Sequence, residues 1–284
     1  MSVELCVLAS GSGGNCTLLR TPAGTMLLDA GIGPRSAARR MNGTGASLDD
    51  VRAICLTHLD RDHFSLRWTR RLIDRQIRVF CHADNSAMLR GWLEPEAAGQ
   101  VVGFERPFAP LAGLDVTPLC VPHDDGCCCA FVLEGFGVRI GYATDLGRVP
   151  DALIEHFRDL DVLAIESNYD PRMQLDSPRP WFLKRRIMNG RGHLSNQQAF
   201  HAVRQILDGH ENRRSPLPAH VVLLHRSRQC NCARLVRNLF SRDKRLAGRL
   251  TLAEQFERSA WLRVKKLAPL VGEQLELVWG GESC

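Results

Sequence analysis

Apolar residues run through this chain in short blocks separated by polar turns and helix-patterned stretches. Residues 51–57, 114–121, 138–144, 162–166 and 221–224 are five such blocks. Each is shorter than an ordinary helix, rich in branched side chains and close to continuous in its hydrophobicity, the pattern of strands covered on both faces. Residues 3–8, 16–19 and 25–28 predict opening strands, with turns at 10–15 and 22–24; 78–81 and 127–133 add two more. Helical spacing marks 34–41, 65–74, 85–92, 151–157, 196–207 and 232–240. Strands alternating with helices give an α/β class. Residues 170–192 carry Pro171, Pro178 and Pro180 and read as a loop. It is either a lid whose Trp181 stacks on a base or a packed insertion anchored by that Trp. Residues 274–279 read as an added strand or a dimer contact, which leaves the oligomeric state open.

Composition narrows the class without naming a function. The 284 residues are 44% hydrophobic, enough for a substantial core. No run approaches 18 consecutive apolar residues, and the first residues lack a basic stretch followed by an apolar one, so a cytoplasmic protein away from membranes is expected. Eleven cysteines, odd in number and scattered, predict free thiols. Cys6, Cys16, Cys55, Cys81 and Cys120 stand in apolar contexts and read as small buried hydrophobes, and Cys284 as a tail thiol. The net charge of +6 hides an asymmetry: residues 1–176 hold 17 Lys and Arg against 23 Asp and Glu, and residues 177–284 hold 20 against 8. The basic half includes Lys184-Arg185-Arg186, Arg213-Arg214, Arg226, Arg228 and Lys244-Arg245, a distribution that suits a polyanionic substrate.

The chemistry sits where strands end. His58-Leu59-Asp60-Arg61-Asp62-His63 follows the 51–57 strand and places four metal-ligand types within six residues. Imidazole mixed with carboxylate suits zinc, manganese or iron. His123 follows the 114–121 strand, Asp145 the 138–144 strand and His225 the 221–224 strand. Four strand ends bearing ligand types predict one site at one edge of a sheet.

With these residues the chain resembles the metallo-β-lactamase fold, whose signature is His-x-His-x-Asp-His followed by a later His, an Asp and a final His. Leu8 to Cys16, Leu27-Leu28-Asp29-Ala30-Gly31, Tyr142-Ala143-Thr144-Asp145, Glu166 to Asp170, Gly192-His193-Leu194-Ser195-Asn196 and Leu224 to Arg228 are similar to the YycJ/WalJ branch. The resemblance spans residues 4 to about 262 and implies a four-layer αββα sandwich. It implies a hydrolase domain over 1–264, with 265–284 as an extension. It also implies two divalent metals, one on His58, position 60 and His123, the other on Asp62, His63 and His225, with Asp145 bridging. The branch is associated with DNA exonuclease activity.

Asp60 departs from the pattern, because the family has His there. A carboxylate shifts preference from zinc toward manganese or iron and adds negative charge to the first metal. The site is then dinuclear with altered metal choice, mononuclear at the second position, or inactive. The expected chemistry is hydrolysis of a phosphodiester in DNA or RNA. Asp62 and Asp145 are the catalytic carboxylates and His193 the proton donor. Arg226, Arg228, Ser195 and Asn196 are expected to hold substrate, and Asp29 to orient metal ligands. The 10–15 turn either presents amides to a phosphate or only reverses the chain. Two rivals stand: a phosphodiesterase for small cyclic phosphates or phosphonates, and a nucleic-acid-binding protein silenced by Asp60.

Overall fold

A computed structural model describes residues 2–124, 126–212 and 215–264. The 265–284 extension, with the 274–279 segment and Cys284, and the Arg213-Arg214 pair lie outside the described residues.

The first sheet is built from β1 (Val3–Ala9), β2 (Cys16–Thr21), β3 (Gly24–Leu28), β4 (Val51–Cys55), β5 (Arg78–His82) and β6 (Val101–Phe104). The second holds β7 (Phe108–Leu111), β8 (Leu114–Val121), β9 (Cys128–Gly135), β10 (Val138–Ala143), β11 (Val162–Glu166), β12 (His220–Leu224) and β13 (Leu250–Leu252). β14 (Leu262–Val264) returns to pair with β1, so the orders are β14-β1-β2-β3-β4-β5-β6 and β13-β12-β11-β10-β9-β8-β7. β3 through β6 are parallel, as are β10 through β13, and the remaining pairs are antiparallel.

Strand alternation sorts the side chains between three apolar layers. Val3, Leu5 and Val7 meet Phe131, Ile140 and Tyr142 between the sheets, whereas Cys6 and Leu8 turn to the outer face of the first sheet. That outer face packs against α1 (Pro34–Met41), α2 (Thr69–Arg75), α3 (Ala83–Trp92) and α4 (Pro95–Ala98). Trp68, fully buried there, donates its indole N–H to Ile32 O at 2.8 Å. The second sheet's outer face packs against α5 (Asp151–His156), α8 (Asn196–Asn212) and α9 (Ala233–Phe240). Helices therefore cover both outer faces of two stacked sheets, the expected αββα sandwich, and both faces of each central strand are apolar for that reason. Phe131 is wholly buried between the sheets, and truncating it to Ala removes about 3–5 kcal/mol.

Residues 170–192 differ from the expected loop. They form α6 (Pro171–Asp176) and α7 (Trp181–Met188). Pro171 and Pro180 mark helix entrances: Asp170 Oδ1 accepts the N–H groups of Arg172 and Met173 at 3.0 Å, Pro171 follows it in the first turn of α6, and Pro180 occupies the N-cap of α7. Leu183, Ile187 and Met188 pack with Tyr169, Met173 and Cys230 to hold the pair down, while Trp181 stays 63% exposed and anchors nothing. Cys120 also corrects an expectation, because it is exposed, whereas Cys6, Cys16, Cys55 and Cys81 are buried. Among the described residues every cysteine is free and no helix is long and apolar enough to cross a membrane.

Candidate metal centre

β3, β4, β8, β10, β11 and β12 end at the same edge of the sandwich, and the chain crosses that edge with polar residues. Asp29 follows β3, the 58–63 segment follows β4, His123 follows β8, Asp145 follows β10 and His225 follows β12. Asp29, Asp145 and His225 have φ of 59°, 54° and 51°, the left-handed region that non-glycine residues seldom occupy. Each thereby leaves its strand direction at the residue that carries the functional group. Gly31 closes the same edge: a Cβ there would lie 1.8 Å from Asp62 O, so only glycine lets the two segments touch.

Four imidazoles are held alike, each by Nδ1. His63 Nδ1 donates to Asp29 Oδ2 at 2.9 Å. His58 Nδ1 lies 3.0 Å from Thr57 Oγ1, which itself donates to Asp29 Oδ1 at 3.0 Å. His123 Nδ1 donates to Gly192 O at 2.8 Å, and His225 Nδ1 lies 3.0 Å from Glu166 Oε1. With Nδ1 fixed as the donor, Nε2 is the nitrogen whose lone pair faces the site once the ring is neutral. The Nε2 atoms of His58 and His225 are buried without a hydrogen-bond partner. Buried imidazole nitrogens left in this way fit a cation, as does the hard and borderline donor set around them.

The donors fall into two overlapping groups. Ligand atoms of His58, Asp60 and His123 lie within 4.8 Å of one another, as do those of Asp62, His63 and His225. Asp145 stands between them, with Oδ2 at 2.9 Å from His63 Nε2 and Oδ1 at 3.9 Å from His123 Nε2. Asp60 is the most open donor, its side chain 56% exposed. Burial alone would raise the Asp145 carboxyl, but the charges of His225 and His63 hold it well below the usual range. Burial would likewise lower His63 and His225, yet Asp145 keeps both well above the ordinary histidine value. Without metal the centre is a cluster of buried ion pairs.

His193 lies beside Asp145, with Nδ1 at 2.8 Å from Glu166 Oε1, and burial's downward pull on it is outweighed by Glu166. Glu166 went unnoticed as a functional residue. Wholly buried at the end of β11, it accepts the N–H groups of Leu146 and Leu194 at 2.9 Å on one oxygen and faces His193 and His225 with the other. A glutamate ending a five-residue apolar strand is the signal that could have found it. Thr57 and Asn15 were also missed; Asn15 Nδ2 lies 2.9 Å from His63 Nε2.

Four predicted substrate contacts lie elsewhere. Arg226 pairs with Glu254, and Arg228 stacks over Phe256 at 4.7 Å. Their neighbour His225 faces the site, and chain continuing from it sends the next side chain away. Ser195 exchanges hydrogen bonds with Gln198 at the start of α8, and Asn196 is buried against Ser167 Oγ at 2.8 Å. The 10–15 turn spends two amides internally, Gly11 N–H on Asn15 Oδ1 and Gly13 N–H on Gln255 Oε1, while Ser10 Oγ accepts the His225 N–H at 2.7 Å and Ser12 lines the cavity. A cavity of about 290 Å³ opens over Asp60, Asp62, His123, Asp145, His193 and His225, with Arg179, Leu183 and Arg186 from the 170–192 segment on its wall.

Known proteins share this fold. The model of the beta-lactamase superfamily domain matches residues 25–225. Exodeoxyribonuclease YycJ of Bacillus anthracis is 24% identical over 244 residues, covering 84% of this chain and 87% of the relative. Exodeoxyribonuclease WalJ of Streptococcus pneumoniae is 25% identical over 203 residues, 69% of this chain and 74% of the relative. Among solved structures, the metallo-beta-lactamase fold protein YhfI from Bacillus subtilis superposes with a TM-score of 0.68 at 14% identity, covering 93% of this chain and all of its own.

Proposed function

This chain belongs to the beta-lactamase superfamily, in its YycJ/WalJ branch, and from that membership we propose that it is a metal-dependent exonuclease that hydrolyses phosphodiester bonds of DNA at the β-strand edge. The observation that carries this reading is the convergence of four Nδ1-anchored imidazoles and three aspartates beneath one cavity. His58, Asp60 and His123 would hold one divalent ion and Asp62, His63 and His225 a second, with Asp145 shared. Bound there, such ions make water nucleophilic at neutral pH and neutralise charge on the phosphoryl oxygens.

The chain's own groups do the remaining work. Glu166 fixes Nδ1 of His193 and favours its charged form, so the ring presents a proton to a phosphoryl or leaving oxygen in the cavity. Arg179 and Arg186 hold the substrate's phosphates in place of the expected Arg226 and Arg228. Arg186 is steadied by Asp124, whose Oδ1 accepts its Nε–H at 3.0 Å. Trp181 and Phe182, 63% and 73% exposed on α7, offer apolar faces to unpaired bases beside that wall.

The test is hydrolysis of 5′-phosphorylated single-stranded DNA by the full chain with manganese or zinc, run beside a small diester such as bis(p-nitrophenyl) phosphate. Stepwise release of mononucleotides, weakened at least tenfold in KM by Trp181→Ala with Phe182→Ala, supports the exonuclease. Turnover of the small diester with DNA left intact overturns it.

A further inference from the structure

A second group of metal-ligand types lies at the same edge but outside the cavity. His82 ends β5 in the first sheet, Cys120 lies near the end of β8, and Cys127 directly precedes β9 in the second. One ligand atom from each falls within 4.8 Å of the others, and the two sulfurs are 3.9 Å apart. Two sulfurs each roughly 2.3 Å from one tetrahedral zinc are about 3.8 Å apart, whereas a disulfide needs about 2.05 Å. The separation fits co-ligands, and between the free thiols it is a hydrogen-bond contact. His82 Nδ1 accepts the Asp84 backbone N–H at 3.3 Å, capping α3 and fixing the ring beside the two sulfurs. Asn85 Nδ2 donates to Cys127 O at 2.9 Å, which ties α3 to the start of β9. Cys120 is exposed and Cys127 half-buried, so an ion reaches both from solvent.

We propose that His82, Cys120 and Cys127 form a soft-metal site that takes zinc, with water in the fourth position. Binding releases the thiol protons to solvent and involves no change of oxidation state. The site joins one ligand from the first sheet to two from the second, and its cysteines bracket the turn that carries His123. Zinc there clips the sheets together beside the hydrolytic centre without entering it. The two centres differ in kind: imidazole and carboxylate in the cavity, thiolate and imidazole outside it.

That difference supplies the experiment. The full-length protein is stripped of metal and titrated with cobalt(II), whose thiolate charge-transfer absorption in the near ultraviolet reports sulfur ligands and needs no turnover. The wild type is expected to develop this band with one equivalent. Cys120→Ser with Cys127→Ser should abolish it and lower bound zinc by one per chain on elemental analysis, with phosphodiester hydrolysis retained. His82→Ala should weaken cobalt binding at least tenfold at the same band. Cys128→Ser, which alters the thiol nearest His58, should leave it in place. Absence of the band in the wild type, or its survival in the Cys120/Cys127 double variant, overturns the proposal whatever the protein hydrolyses.

Discussion

On the first sheet's side of the centre, four donor side chains come from one six-residue segment after β4, and their support comes from the neighbouring strand end, Asp29, and from Thr57. On the second sheet's side, His123, Asp145 and His225 come from three strands spread over a hundred residues, and a single buried carboxylate, Glu166, steadies His193 and His225 together. A local cluster keeps its relative geometry as long as one turn is formed. A distributed cluster exists only when β8, β10, β11 and β12 are in register. The first half should therefore tolerate perturbation of its support better than the second.

The harshest break removes the group common to both halves. Asp145→Asn takes away the shared charge that holds His63 and His225, and the rate of diester hydrolysis should fall on the order of 10³-fold, with metal content reduced on elemental analysis. The comparison itself is tested by a pair. Glu166→Gln should lower activity about 10–100-fold, because His193 and His225 lose their anchor at once. Asp29→Asn, on the local side, should fall at the lower end of that range. Equal losses in the two variants would erase the distinction between the halves.

Acid tests the pairing more gently. In the metal-free centre Asp145 keeps His63 and His225 protonated above the ordinary histidine range, and both protons must leave before the rings can ligate. Metal affinity should therefore rise with pH through neutrality, by about tenfold per unit for each proton displaced. Calorimetry in buffers of different ionisation enthalpy would register proton release on binding; proton uptake would contradict the assigned charge states. The smallest expected change sharpens the local half. Asp60→His replaces an open carboxylate with imidazole and should raise preference for zinc over manganese several-fold in competition.

Much of this was legible in the sequence. The continuous apolar blocks became doubly covered strands, and ligand types after those blocks met at one edge because parallel strands end together. What escaped notice was set by direction and partnership. Arg226 and Arg228 sit beside His225 in sequence yet turn to Glu254 and Phe256, while Arg186 reaches the cavity from α7 and Arg179 from the proline-flanked link between α6 and α7. Glu166 looked like the last residue of a strand, since nothing local shows which side chains a buried carboxylate will hold. Cys120 read as core because its neighbours are apolar, but its strand turns it outward.

The left-handed backbone at Asp29, Asp145 and His225 bears on how this protein would change under selection. Residues in that region carry roughly 1–3 kcal/mol of local strain each, which glycine largely relieves. Glycine at 29, 145 or 225 would relieve that strain but strip a buried partner from Thr57, His63 or Asp145, a loss of about 3–5 kcal/mol for a broken buried pair. A library sorted for thermal endurance alone should therefore keep these three side chains as firmly as one sorted for hydrolysis, since the pairs that hold the centre also hold the strained turns in place.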